Sequence, residues 1–115
     1  KIFYTKYTAQ NIHDFKNKKV ISFAGIGNPE NFFNLLKDNM VNIIEKIRFP
    51  DHYQYSKKDL ENLINKKNEK NAILLTTEKD FLRIEENFKE KINFLKIKTE
   101  FEDKNNFINE IKNFI

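Results

Sequence analysis

The sequence of 115 residues contains no cysteine, and it has only two each of glycine, proline and histidine. The lack of cysteine excludes disulfide bonds and thiolate catalysis, and a zinc site would have to depend on the two histidines. No apolar run approaches the roughly 20 residues that a membrane-spanning helix needs. The first residues alternate apolar and polar side chains, which is unlike a signal peptide. The glycines, Gly25 and Gly27, are not followed by Gly-Lys-Ser/Thr, so a P-loop is excluded from these residues.

What remains is the composition of a globular domain, with 39% hydrophobic and 33% charged residues. The length is that of one domain, and we expect residues 1–115 to form a single unit. The net charge of +4 suits an anionic membrane surface or a phosphorylated substrate. Arginine occurs only at Arg48 and Arg83, and no aromatic-basic pattern of a nucleic-acid reader occurs, so no nucleic-acid partner is expected. The first residue is Lys1, and we expect a piece of a longer protein.

Strand-like and helix-like stretches alternate along the chain. Strands are predicted at residues 2–7, 20–24, 41–49, 72–75 and 92–97. Helices are predicted from Pro29 with Asn28 as its cap, from Ser56 with Asp59 closing a capping box, over residues 79–86, and from 103 or 105 to the end. This alternation predicts an α/β layered domain with a mostly parallel sheet flanked by helices.

Three polar stretches follow predicted strands: GIGNPE, FPDHYQY and TTEKD. Because ligands bind beyond the carboxyl ends of parallel strands, these stretches are expected to meet at one edge of the sheet. This convergence is stronger support for a binding site than any single motif.

The glycine stretch has two interpretations. Glycines allow close approach of a ligand to the backbone, and free N–H groups at a helix start can bind an anion. Alternatively, Gly25 and Gly27 form a tight turn that needs positive φ. Pro29 lacks an N–H and Glu30 repels anions, so chemistry alone favours the turn.

The other two stretches also admit a functional and a structural interpretation. Asp51 next to His52 can orient an imidazole that accepts a proton, or His52 can be a polar loop residue. Lys79 can contact phosphate, but Thr77 and Asp80 account for the same stretch as a helix cap. The other histidine, at position 13, has no partner pattern and is predicted to lie on the surface.

Taken in order, FAGIGNPENFF, FPDHYQYSKKDL and LLTTEKD resemble the carboxyl-terminal half of the tetraacyldisaccharide 4'-kinase family, the lipid A 4'-kinases of Gram-negative bacteria. The resemblance runs over residues 20–83 and is weaker beyond them. It implies transfer of the γ-phosphate of ATP, with Mg²⁺, to the 4'-hydroxyl of a tetraacyldisaccharide 1-phosphate, which gives lipid IVA. It also implies work at the cytoplasmic face of the inner membrane, with peripheral membrane contact.

The resemblance further implies two α/β domains joined by a strand-rich linker, with the P-loop, ATP and Mg²⁺ held mainly by an amino-terminal domain. His52 matches the histidine that pairs with an aspartate of that domain to promote phosphoryl transfer. Asp51, Gly25, Gly27, Asn28 and Lys79 are expected near the interdomain cleft or the substrate. The first strand, within residues 1–10, is expected to belong to the linker, and no metal ligand is expected in this chain.

Two departures from the family pattern matter. A second histidine often follows the first, and here that position is Tyr53. The P-loop is absent from the sequence, so the chain by itself is expected to be inactive. Two alternatives stay open: a stand-alone, non-catalytic α/β module that binds a phosphorylated ligand or protein partner, and a pure interaction domain.

Overall fold

The computed structural model describes residues 5–9 and 11–101, with side chains for residues 11–96. Six strands and three α-helices are found in these residues. The strands are β1 (Thr5–Ala9), β2 (Lys19–Ala24), β3 (Asn42–Arg48), β4 (Ile73–Thr77), β5 (Asn93–Leu95) and β6 (Ile97–Phe101). The helices are α1 (Pro29–Asp38), α2 (Lys57–Lys70) and α3 (Glu78–Leu82), and short 3₁₀ helices cover Ile12–Phe15 and Glu86–Lys91.

Four strands form one sheet in the order β3-β2-β4-β5, and every pair in it is parallel. The predicted α/β fold is therefore confirmed. The chain leaves β2 toward β3 on one side and returns as β4 on the other side. The strand order therefore reverses between β2 and β4. Open α/β sheets bind ligands at such a point, beyond the carboxyl ends of the strands.

Two apolar layers cover the two faces of the sheet. On one face, Phe32, Phe33 and Leu36 of α1 pack in a cluster with Val20 and Leu75. On the other face, α2 contributes its buried residues Leu60, Leu63 and Ile64 to a cluster with Ile21, Phe23 and Leu74. β2 is buried from Val20 to Ala24 because both of its faces are covered, as expected for a central parallel strand.

The predicted starts of α1 and α2 are confirmed in position, with one difference in chemistry. Ser56 Oγ accepts from Asp59 N and Asp59 Oδ2 accepts from Ser56 N, both at 3.0 Å, so the capping box is present. Asn28 stands at the cap position of α1, but its side chain makes no capping hydrogen bond. The first helical position of α1 is Pro29, where the missing N–H costs nothing.

Two predicted elements differ from the observed ones. The helix predicted over residues 79–86 ends at Leu82, because the chain turns at Arg83 to bury Ile84 in the core. The strand predicted over residues 92–97 is interrupted at Lys96, whose N–H donates to Asn11 Oδ1 at 2.9 Å instead of continuing the ladder.

After that interruption the chain forms a separate two-stranded ribbon. β6 pairs with β1 in antiparallel register, from Thr5 opposite Phe101 to Ala9 opposite Ile97. The first strand therefore lies outside the parallel sheet; its assignment to a linker stays a prediction. The predicted carboxyl-terminal helix and residues 2–4 lie outside the described residues. Within the described part, no helix has the length and apolar character to cross a bilayer.

Candidate functional site

The loops after β2, β3 and β4 meet at the carboxyl edge of the sheet. There they surround an open cleft of about 390 Å³, which is lined by Ile26, Gly27, Asp51, His52, Lys79, Leu82 and Arg83. The structure thus brings together four of the residues singled out from the sequence. Gly25 lies buried beneath them, whereas Asn28 is exposed and does not line the cleft.

The N–H and the carbonyl group of Gly25 both form hydrogen bonds with residues that follow other strands. The Gly25 N–H donates to Asp80 Oδ1 at 3.0 Å. The Gly25 carbonyl accepts from Arg83 Nη2 at 3.1 Å and from the His52 N–H at 3.0 Å. Hydrogen bonds therefore tie the loops after all three strands to this one residue.

The sequence suggested that the two glycines form a turn that needs positive φ, but neither glycine has positive φ. Gly25 is required by close packing instead. A Cβ at this position would lie 3.0 Å from the Pro50 carbonyl oxygen and 3.1 Å from the Tyr55 hydroxyl. A Cβ on Gly27 would meet only Asp51, at an ordinary contact distance of 3.5 Å.

We therefore expect the two glycines to respond differently to alanine. Gly25→Ala should lower the free energy of unfolding by about 1 to 3 kcal/mol, because a backbone carbonyl cannot easily move away. Gly27→Ala should leave it unchanged or raise it by up to about 1 kcal/mol through a less flexible unfolded chain. Urea unfolding of the two variants checks this, and equal losses would contradict it.

His52 lies on the rim of the cleft with 87% of its side chain exposed. Its backbone has φ of 60°, the left-handed conformation that costs a non-glycine residue roughly 1–2 kcal/mol. The hydrogen bond from its N–H to the Gly25 carbonyl helps to hold this conformation. The imidazole Nε2 lies 3.7 Å from Asp51 Oδ2, which is close enough for electrostatic interaction but too long for a hydrogen bond.

Asp80 is a fully buried carboxylate at the base of the cleft. Besides the Gly25 N–H, its Oδ1 accepts from the Tyr55 hydroxyl and from Arg83 Nη2, each at 2.9 Å. Its Oδ2 accepts from the Thr77 hydroxyl at 2.6 Å. The expected cap is present, since Thr77 Oγ1 also accepts from the Asp80 N–H, but the carboxylate serves the whole site.

Sequence reasoning missed this role of Asp80, and it missed Arg83 and Tyr55 entirely. The only local signal was the spacing of Asp80 and Arg83, three residues apart, which allows an ion pair on a helix. Burial and the charge of Asp80 raise the pKa of the Tyr55 phenol far above its ordinary value, so Tyr55 stays a hydrogen-bond donor.

The loop that carries His52 ends in an aromatic cluster. Tyr53 stacks on Phe49 with ring centroids 4.9 Å apart, and Tyr55 meets both rings edge to face. The Tyr53 hydroxyl donates to Asp59 Oδ2 at 2.8 Å, which anchors the loop to the first turn of α2. Both the ring and the hydroxyl of Tyr53 therefore help to hold this loop in place.

This anchor predicts a pH dependence of stability. The Ser56 N–H, and after it the Tyr53 hydroxyl, lower the pKa of Asp59 below its ordinary value. The unfolded chain therefore takes up this proton first as the pH falls. The stabilisation by Asp59 is fully present above the ordinary carboxyl pKa of about 3.9 and is lost as the pH falls through the lower folded value. The difference in unfolding free energy between wild type and Asp59→Asn should be constant from pH 7 to 5 and shrink below pH 4; a constant difference down to pH 2 would contradict this.

The cleft suits phosphate better than a metal ion. Lys79 contributes an exposed cationic side chain, which is a good partner for phosphate oxygens. Arg83 adds a partly buried cation whose Nη2 is engaged by Asp80 and the Gly25 carbonyl. Across the residues described, no three His, Asp or Glu side chains are grouped so that they could hold a metal ion. Asp51 is the one carboxylate among the residues that line the cleft.

A family model described as tetraacyldisaccharide-1-P 4'-kinase matches residues 3–115. The chain belongs to this family. The resemblance found in the three motifs is thereby confirmed.

Curated tetraacyldisaccharide 4'-kinases agree with this assignment. The chain is 44% identical to that of Pelagibacter ubique over 88 residues, which are 76% of this chain and 28% of the relative. It is 51% identical to that of Rickettsia bellii over 69 residues, which are 60% of this chain and 22% of the relative. The chain thus spans less than a third of the length of these 4'-kinases.

A solved structure has the same fold. It is the crystal structure of LpxK from Aquifex aeolicus in complex with ATP, which matches with a TM-score of 0.59 and 24% identity. The match covers 96% of this chain and 35% of that one. The α/β arrangement of the described residues therefore also occurs in part of that structure.

Proposed function

We propose that this chain is the carboxyl-terminal part of an ATP-dependent kinase that phosphorylates the 4'-hydroxyl of tetraacyldisaccharide 1-phosphate to give lipid IVA, a step of lipid A biosynthesis. Family membership and the length relative to the curated kinases support this proposal. In the reaction the γ-phosphoryl group passes from ATP to the hydroxyl oxygen, ADP leaves, and the hydroxyl proton must be accepted.

The observation that carries the proposal is the position of His52. It stands on the rim of a cleft at the carboxyl edge of the sheet, with its imidazole open to a group from outside this chain. An imidazole can accept a proton near neutral pH, and Asp51 Oδ2 lies 3.7 Å from its Nε2. We assign His52 to proton acceptance together with an aspartate of the amino-terminal domain.

The same proposal covers the extent of the domain and the roles of the other candidate residues. Residues 1–115 form one α/β domain, with residues 1–10 in an interdomain linker. Lys79 contacts a phosphate group of a substrate, Gly27 and Asp51 form part of the wall of the cleft, and Gly25 supports that wall from beneath. The nucleotide and Mg²⁺ are held mainly by a P-loop domain outside this sequence, which itself contains no P-loop.

The substrate places the reaction at a membrane. A tetraacylated acceptor is anchored in a lipid layer by its chains, so we propose peripheral contact of the kinase with the cytoplasmic face of the inner membrane. Leu82, which is 69% exposed on the rim of the cleft beside Lys79, is suitably apolar to face the acceptor.

A turnover assay tests the proposal. The full-length protein should phosphorylate tetraacyldisaccharide 1-phosphate with ATP and Mg²⁺, whereas the 115-residue chain alone should show no turnover above background. Activity of the isolated chain comparable to that of the full-length protein would contradict the domain assignment. No turnover by the full-length protein, with binding of the acceptor retained, would favour the alternative of a non-catalytic binding module.

A further inference from the structure

The Gly25 carbonyl oxygen is shared by two donors from different loops. The His52 N–H reaches it from the loop after β3, and Arg83 Nη2 reaches it from the end of α3. The same Nη2 also donates to Asp80 Oδ1, which in turn accepts from the Gly25 N–H. A closed ring of hydrogen bonds therefore joins Asp80, Arg83 and Gly25, and the backbone of His52 is attached to this ring.

We propose that Arg83 is a positioning residue for His52. The guanidinium fixes the Gly25 carbonyl, and that carbonyl holds the His52 N–H in the left-handed conformation that directs the imidazole to the rim of the cleft. This inference rests on the proposed function of His52 in phosphoryl transfer. Arg83 acts through the backbone of another residue, not on the reacting atoms.

The surroundings of Arg83 favour positioning over direct substrate contact. Its side chain is only 23% exposed, and Nη2 is engaged by the carboxylate and the carbonyl. Lys79, four residues earlier and exposed on the same rim, is far more accessible to a phosphate. Arg83 nevertheless lines the cleft, and among the described atoms its Nη1 has no hydrogen-bond partner. The test must therefore separate positioning from substrate binding.

A double-mutant cycle in the full-length protein makes this separation. Arg83→Gln should lower kcat about 10- to 100-fold, because a misplacement of about 1 Å is enough for such a loss. The KM values for ATP and acceptor should change little. In a His52→Ala background, Arg83→Gln should cause almost no further loss, since the residue through which it acts is absent. Arg48→Gln is the matched control, because Arg48 is the other arginine and forms an exposed pair with Glu30; it should have no effect on kcat.

Two kinetic results would overturn the inference. A large rise in KM with kcat retained would make Arg83 a substrate-binding residue, and equal losses in both backgrounds would give it a role independent of His52. Hydrogen exchange separates failure of this inference from failure of the proposed function. Arg83→Gln should speed amide exchange in the peptide that contains His52, whereas Arg48→Gln should not. This result is expected even if the protein shows no kinase turnover, and even if His52→Ala keeps full turnover. Unchanged exchange would refute the positioning.

Discussion

Replacing Asp80 with alanine is expected to lower the free energy of unfolding by about 3 to 5 kcal/mol, the range found when one partner of a buried ion pair is removed. The carboxylate is fully buried and accepts hydrogen bonds from Gly25, Tyr55, Thr77 and Arg83. In the variant these donors lose their acceptor, and water has little access to replace it. Urea unfolding of the 115-residue chain measures the loss.

Asp59→Ala provides the matched control. Asp59 also accepts two hydrogen bonds at a helix start, but it is partly open to water. Its removal should cost only about 1 to 2 kcal/mol. Asp80→Asn should fall between the two, since it keeps the shape and loses the charge. Similar losses for Asp80→Ala and Asp59→Ala would show that the buried network contributes little.

His52→Ala is expected to lower kcat of the full-length protein about 10²- to 10³-fold, the range typical of a lost proton acceptor. The stability should hardly change, because the side chain is exposed and makes no buried contact. Steady-state assays with ATP and tetraacyldisaccharide 1-phosphate, together with a thermal melt, measure both quantities.

The second histidine of the chain supplies the control for this prediction. His13 lies exposed in the 3₁₀ helix Ile12–Phe15, away from the cleft residues, so His13→Ala should leave kcat unchanged. A His52→Gly variant, which relieves the left-handed backbone, should be as inactive as His52→Ala. Full turnover of His52→Ala would remove the proposed role of His52 while leaving the family assignment intact.

The layered fold could be predicted because its signals are local. β2 and β4 are short apolar runs, and α2 is preceded by a capping box. The hydrophobic pattern and the capping residues therefore predicted the start of each of these elements to within two residues. The meeting of three loops also followed from sequence, since it needs only parallel strands. The end of α3 and the break at Lys96 were missed because they depend on tertiary contacts: the burial of Ile84 and the bond to Asn11.

The membership of the candidate site was predicted in part, and its organisation was not predicted. His52, Asp51, Gly27 and Lys79 stood in conspicuous motifs, and they do line one cleft. The network around Asp80 was hidden because a capping residue and a buried ion-pair partner look the same in sequence. The need for glycine at position 25 could not be predicted from the sequence either, because the atoms that exclude a Cβ there come from the distant residues 50, 55 and 80.

The all-parallel sheet also has a consequence for the order in which this chain folds. No strand of the sheet can pair with another through a short hairpin, and the bond between Gly25 and Asp80 joins residues 55 apart. Closing so long a loop costs entropy before any contact rewards it, which makes such pairings slow. The residues around Gly25 can acquire their arrangement only after β2 and β4 have met, so a partly folded chain has no cleft to offer a ligand.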